Sequence, residues 1–137
     1  MKILLAACNA KYIHSNLAVF NLKAYAKEYD SQVVLREYTI NQLKDDILKD
    51  IYRCHPDVVC VSCYIWNITF VRELMQDLRK ILPDVPFWAG GPEVSYDAET
   101  FLGKNPAFNG VMVGEGEETF LELVKHYVDG SVTLEET

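Results

Sequence analysis

Asp57-Val58-Val59-Cys60-Val61-Ser62 is the stretch that decides the fold. Four apolar side chains in succession leave no polar face, as a strand buried on both sides requires and a half-exposed, alternating strand does not show. Residues 68–82 then carry apolar positions at helical spacing and stop at Pro83, and residues 85–89 return to a short apolar run that ends in Gly90-Gly91. Strand, helix and strand in that order form a right-handed parallel crossover. The same alternation continues outward in both directions. Upstream, residues 2–8 read as a strand, 15–29 as a helix (Leu17, Phe20, Leu22, Tyr25), 32–38 as a strand and 41–53 as a helix striped by Leu43, Ile47, Leu48 and Ile51. Downstream come a short helix over 97–102, a strand over 110–113 and a closing helix over 117–128 that stops near Gly130.

This pattern predicts an α/β fold, a five-stranded parallel sheet covered by helices on both faces. For this length the default is a flavodoxin-like (Rossmann-like) three-layer sandwich with strand order 2-1-3-4-5. Residues 1–130 make one domain, and residues 131–137, beyond a helix stop and a glycine, read as the start of a linker to a further domain. In such sheets ligands bind at the carboxyl ends of the strands. Three crossings there are marked by small residues: Ser62-Cys63-Tyr64, then Gly90-Gly91 after 27 intervening residues, then Gly114-Glu115-Gly116-Glu117. Small side chains at several crossings leave room for something bulky.

Composition narrows the class. The 137 residues are 50% hydrophobic and 24% charged, an ordinary balance for a chain with one real core. No apolar run approaches the roughly 18 to 20 residues of a membrane span, and the apolar start is too short for a signal peptide, so a cytoplasmic location is expected. A net charge of −7 argues against nucleic acid and anionic membranes as partners, since both are recognised by clustered Lys and Arg. Cys8, Cys54, Cys60 and Cys63 sit mostly in or beside apolar runs, where a free cysteine behaves as a small hydrophobe. Cys60 and Cys63, three apart on a strand, point to opposite faces and do not form a thioredoxin-like pair. No C-x3-C-x2-C spacing occurs, so the chain does not hold an iron–sulfur cluster by itself.

The residues at the strand ends discriminate between ligands. A phosphate-receiver domain needs acidic residues after strand one and an Asp ending strand three, where this chain has Cys8-Asn9 and Ser62-Cys63. A flavodoxin needs a hydroxyl- and glycine-rich phosphate cradle after strand one, but residues 9–16 are large and partly aromatic. Gly114-Glu115-Gly116 lacks the third glycine of a dinucleotide fingerprint and is followed by acidic residues that repel a pyrophosphate.

From Met1 to about Val128 the chain resembles the cobalamin-binding domain, in the version found in B12-dependent radical SAM proteins, and within them the anaerobic magnesium-protoporphyrin IX monomethyl ester oxidative cyclase and methyltransferase group. Ser62-Cys63-Tyr64 matches the family's Ser-x-Leu motif with Tyr64 in place of leucine, and Gly90-Gly91-Pro92 matches its Gly-Gly turn. Residues 11–18, with Tyr12, His14 and Ser15, and Gly114-Glu115-Gly116 with the acidic residues after it, look like the radical SAM branch. The resemblance implies that Ser62, Gly90 and Gly91 flank the channel for the nucleotide tail, with Ser62 offering its hydroxyl to the benzimidazole. It implies that Tyr12, His14, Ser15, Tyr64, Trp66, Pro92, Gly114, Glu115 and Gly116 line the cofactor. The family's Asp-x-His-x-x-Gly falls on Tyr12, His14 and Leu17, so only the histidine survives. Without the aspartate that fixes the imidazole, His14 is either a cobalt ligand or a loop residue at the corrin rim, and the departure favours base-off cobalamin. Gly90 and Gly91 also suit a tight turn, Tyr64 and Trp66 also suit a core, and Glu115 also suits a helix start. Asn67 suits the cap of the third helix, and His55 and His126 read as surface residues.

The expected function is a cobalamin-binding module that catalyses nothing alone. It would face a C-terminal radical SAM domain, which carries a [4Fe-4S] cluster and S-adenosylmethionine, for methyl or electron transfer by the whole enzyme. The alternatives are a flavodoxin-like module for flavin or a protein partner, and a structural domain without ligand.

Overall fold

A computed structural model of the chain describes residues 2–9, 24, 27–39, 43–63, 68–91, 98–112 and 116–130. Strand β1 (Ile3–Asn9) pairs in parallel with both β2 (Val33–Thr39) and β3 (Val58–Ser62). β3 pairs with β4 (Phe87–Gly90), and β4 with β5 (Gly110–Met112). The sheet is therefore all parallel with order β2-β1-β3-β4-β5, as the alternation of periods predicts.

Side-chain alternation divides the core into two layers. Leu4, Ala6, Cys8, Val59, Val61, Cys63, Phe87 and Ala89 face one way, against Ile47 and Ile51 of α1 (Lys44–Cys54) and Val71, Leu74, Met75 and Leu78 of α2 (Ile68–Ile81). The half-buried Phe101 of the short α3 (Ala98–Lys104) packs on that layer as well. Ile3, Leu5, Ala7, Val58, Cys60 and Met112 face the other way, against Phe120, Leu123 and Val124 of α4 (Gly116–Asp129). Every residue of β3 is buried, which is why its sequence shows no polar face. Each large aliphatic side chain removed from water contributes about 1.5–3 kcal/mol, so these layers dominate the stability.

The sequence-predicted bounds shift by one or two residues at several ends. β4 begins at Phe87 rather than residue 85, because Pro86 has no N–H to give the ladder. Its carbonyl still accepts from the Val59 N–H at 3.0 Å. The helix expected over 15–29 falls mostly outside the described residues; its end is a 3-10 helix, Lys27–Gln32, kinked at Tyr29. His55 adopts a left-handed conformation (φ 52°) as α1 closes, and its N–H donates to the Tyr52 carbonyl. It is exposed, as expected, whereas His126 on α4 is half-buried and packs edge-on against Tyr127. No helix among the described residues is long and apolar enough to cross a membrane.

Candidate functional site at the carboxyl end of the sheet

Ser62 and Gly90 are the last residues of β3 and β4 and are register partners. Neighbouring strands lie about 4.8 Å apart, so the hydroxyl and the missing side chain are next to each other. By alternation from Cys60 and Trp88, both belong to the layer that α4 covers. Ser62 is one of two buried polar side chains among the described residues, at 6% exposure.

The two glycines are glycines for different reasons. Gly91 has φ +104°, and a Cβ on it would lie 2.4 Å from the Cys63 carbonyl oxygen. Next to it, the Cys63 N–H donates to the Gly90 carbonyl at 2.7 Å. Gly91 is thus required by the backbone itself: a left-handed turn folded against Cys63, which no larger residue enters without strain. Gly90 has no such constraint. Among the described residues, a Cβ there would meet only Met112, its Cε at 2.9 Å and its Cβ at 3.7 Å. Met112 is the register partner of Gly90 on β5 and is 5% exposed. Beside the Ser62 hydroxyl there is therefore a slot floored by a bare backbone and filled by the end of one unbranched side chain. Among the described residues the surroundings are apolar apart from the Ser62 hydroxyl, which suits a flat aromatic group better than a phosphate.

α4 begins at Gly116, at this same end of the sheet. Tyr12, His14, Ser15, Tyr64, Trp66, Pro92, Gly114 and Glu115, together with Asn67 and the 131–137 linker, lie outside the described residues. The structure thus brings together Ser62, Gly90 and Gly91, three of the sequence-predicted residues, at the end of the sheet where α4 begins.

The thiols near the site are shielded from water. Cys60 lies in one core layer and Cys63 in the other, as their spacing predicts; none of the four cysteines is in a disulfide, and all are buried. Burial pushes the Cys8 thiol up to about 12 and raises that of Cys60 as well, so neither supplies a thiolate. Among the described residues no cluster of His, Cys, Asp and Glu is placed to hold a metal ion. A shallow groove of about 260 Å³ lined by Asp45, Leu48, Lys49, Tyr52 and Ile81 lies on α1 and the end of α2, away from the strand ends.

Sequence reasoning missed Met112, which read only as a residue of the fifth strand. A methionine ending a strand is usually core; only the register that sets it beside Gly90 marks it. Trp88 and Gly110 were missed for the same reason. A Cβ on Gly110 would lie 2.4 Å from the Trp88 ring, whose N–H donates to the Tyr127 hydroxyl at 2.9 Å.

A family model for the B12 binding domain matches residues 3–124. Among curated proteins, the chain is 31% identical over 111 residues to the cobalamin-dependent radical SAM methyltransferase TokK of Streptomyces tokunonensis, covering 75% of this chain and 15% of that protein. It is 33% identical over 69 residues to the 2-(S-pantetheinyl)-carbapenam-3-carboxylate methyltransferase of Streptantibioticus cattleyicolor, covering 50% of this chain and 10% of that protein. Among solved structures, the cobalamin-dependent S-adenosylmethionine radical enzyme OxsB, with aqua-cobalamin and S-adenosylmethionine bound, superposes with a TM-score of 0.73 at 16% identity over 94% of this chain and 19% of that one. A cobalamin-binding protein from Desulfitobacterium hafniense DCB-2 gives 0.64 at 13% identity over 93% of this chain and 59% of that one. The chain thus spans only 15% and 10% of the lengths of these two curated relatives.

Proposed function

The chain belongs to the B12-binding domain family, and from that premise we propose that it is the cobalamin-holding module of a radical SAM enzyme. The observation that carries this reading is the pair Ser62 and Gly90, a buried hydroxyl beside a side-chain-free strand end at the edge where parallel sheets take ligands. In this reading Ser62 donates to the benzimidazole nitrogen of the nucleotide tail, Gly90 lets the flat base lie against the backbone, and Gly91 fixes the turn that follows. Tyr12, His14, Ser15, Tyr64, Trp66, Pro92, Gly114, Glu115 and Gly116 border the corrin or the tail. His14 lacks the aspartate that would orient its ring, so the cofactor is held base-off with His14 at the rim rather than on the metal.

When bound, cobalamin supplies a cobalt centre, held by its own corrin, that carries a methyl group or an electron. The chain contributes orientation and shielding and no acid, base or nucleophile. Residues 1–130 form the module, and residues 131–137 begin the link to a C-terminal domain carrying the [4Fe-4S] cluster and S-adenosylmethionine. The named methyltransferase relatives favour methyl transfer over the oxidative cyclase group as the reaction of the whole enzyme. The cytoplasm, where radical SAM clusters survive, is the corresponding location.

The test is the visible spectrum of the protein after incubation with hydroxocobalamin, reduction to the cob(II)alamin state and gel filtration. Retained pigment with a base-off spectrum is expected. A histidine-ligated spectrum keeps the module but moves His14 onto the cobalt, and a colourless folded protein, or one that retains flavin instead, overturns the proposal.

A further inference from the structure

We propose that Met112 is the specificity residue of the tail slot: its side chain and a nucleotide tail compete for one volume beside Gly90, so binding of tail-bearing corrinoids requires the methionine to swing aside. This rests on the cobalamin reading above and adds a residue to it. Met112 Cε lies 2.9 Å from the position of a Cβ on Gly90, and Met112 is the register partner of Gly90 as Gly90 is of Ser62. A ring laid against the Gly90 backbone needs its carbons about 3.5–4.0 Å from that backbone, in the volume the methyl holds. Ser62 is 6% exposed and Met112 5% exposed, and Phe120 of α4, at 0%, shares their apolar layer. While that side chain lies over Gly90, a ring as wide as a benzimidazole has no room against the Gly90 backbone.

The neighbours differ in how they yield. Gly91 is pressed against the Cys63 backbone, and Phe120 is a fully buried ring, so neither moves cheaply. Met112 is unbranched, with three torsions and a polarizable thioether, and repacks at small cost against an aromatic edge. Displacement therefore falls on Met112, and its cost is subtracted from the affinity for any corrinoid that carries a tail. A corrinoid without one does not incur that cost.

The experiment compares the equilibrium binding and association rate of cob(II)alamin with those of reduced cobinamide, which has the corrin but no nucleotide tail. The chain as it stands is compared with Met112→Ala and Met112→Ile. Freeing or stiffening one side chain shifts binding by about tenfold, the size of an off-rotamer penalty. Met112→Ala should bind cob(II)alamin about that much more tightly and faster, and Met112→Ile, branched at Cβ, about that much more weakly. Cobinamide binding should stay unchanged in all three, which also shows that each variant is folded. Equal shifts for both corrinoids, or no shift for either, overturn the role of Met112. Failure of the unmodified chain to bind either corrinoid overturns the cobalamin reading itself.

Discussion

Where β4 and β5 begin, side chains tie element to element; where β3 and β4 end, the described positions are a serine and two glycines. At the amino end, the Lys2 backbone N–H donates to Asp57 and its ammonium to the Cys54 carbonyl, both at 2.7 Å. The Arg79 guanidinium donates to the carbonyls of Val85 and Ala107 and to Asn109 Oδ1, each at 2.7 Å, and stacks 3.8 Å over the Phe87 ring. The Phe87 N–H completes the cluster by donating to Asn109 Oδ1 at 2.8 Å. At the carboxyl end the corresponding positions are Ser62, Gly90 and Gly91, and the contact that organises them is backbone on backbone. Arg79 and Asn109 carry stability through side chains at the strand starts, and the small residues Ser62 and Gly90 leave a slot at the strand ends. The division of labour follows from parallel topology, since all strands deliver their carboxyl ends to one side.

Four substitutions probe that division. Gly90→Val should lower cobalamin affinity at least about a hundredfold, equivalent to about 2.7 kcal/mol, while urea unfolding changes little, because Met112 yields to the new side chain. Unfolding losses matching those at the amino end would erase the contrast. Arg79→Leu should do the reverse, costing about 2 kcal/mol by leaving three strand-start acceptors without their charged donor, with cobalamin affinity kept within about threefold. Tyr127→Phe removes the acceptor of the Trp88 N–H and should cost about 1 kcal/mol in the same assay, again without touching affinity.

The smallest expected effect is on alkaline stability. The Cys8 thiol rises from an ordinary 9.0 to about 12 on folding, so above pH 9 the unfolded chain releases this proton before the folded one does. Stability is fully present below pH 9 and falls as pH rises from there toward 12. Cys8→Ala should flatten part of that slope, measured by urea unfolding at pH 8 and pH 10. A slope identical to the parent chain would mean that Cys8 is not shielded as its 1% exposure indicates.

Residue pattern made the parallel α/β layering legible because it depends on periods alone: a buried run such as Val58 to Ser62 and an amphipathic stripe such as Ile47 and Ile51 are visible without any partner, whereas the order 2-1-3-4-5 is the default for a chain of this length. Ser62, Gly90 and Gly91 were legible as small residues at crossings. The reason for Gly91 was not, since its positive φ arises from a close approach to Cys63, 28 residues earlier. Arg79 lies in the last turn of α2, a place that suits a basic residue and ordinarily faces water. Its five carbonyl and amide oxygen partners come from two separate segments, 82–85 and 107–109, both irregular. Met112 and Trp88 gain their meaning from register, which a single sequence does not state.

The two outermost strands have a consequence for how copies of this chain meet. β5 is only three residues long, and β2, though seven, carries the exposed Arg36 and the half-buried Glu37 along its rim. A short rim and a charged one both make poor templates for strand addition, so neither invites another chain to extend the sheet into a fibril. Among the described residues the sheet therefore ends at two edges that disfavour edge-to-edge pairing.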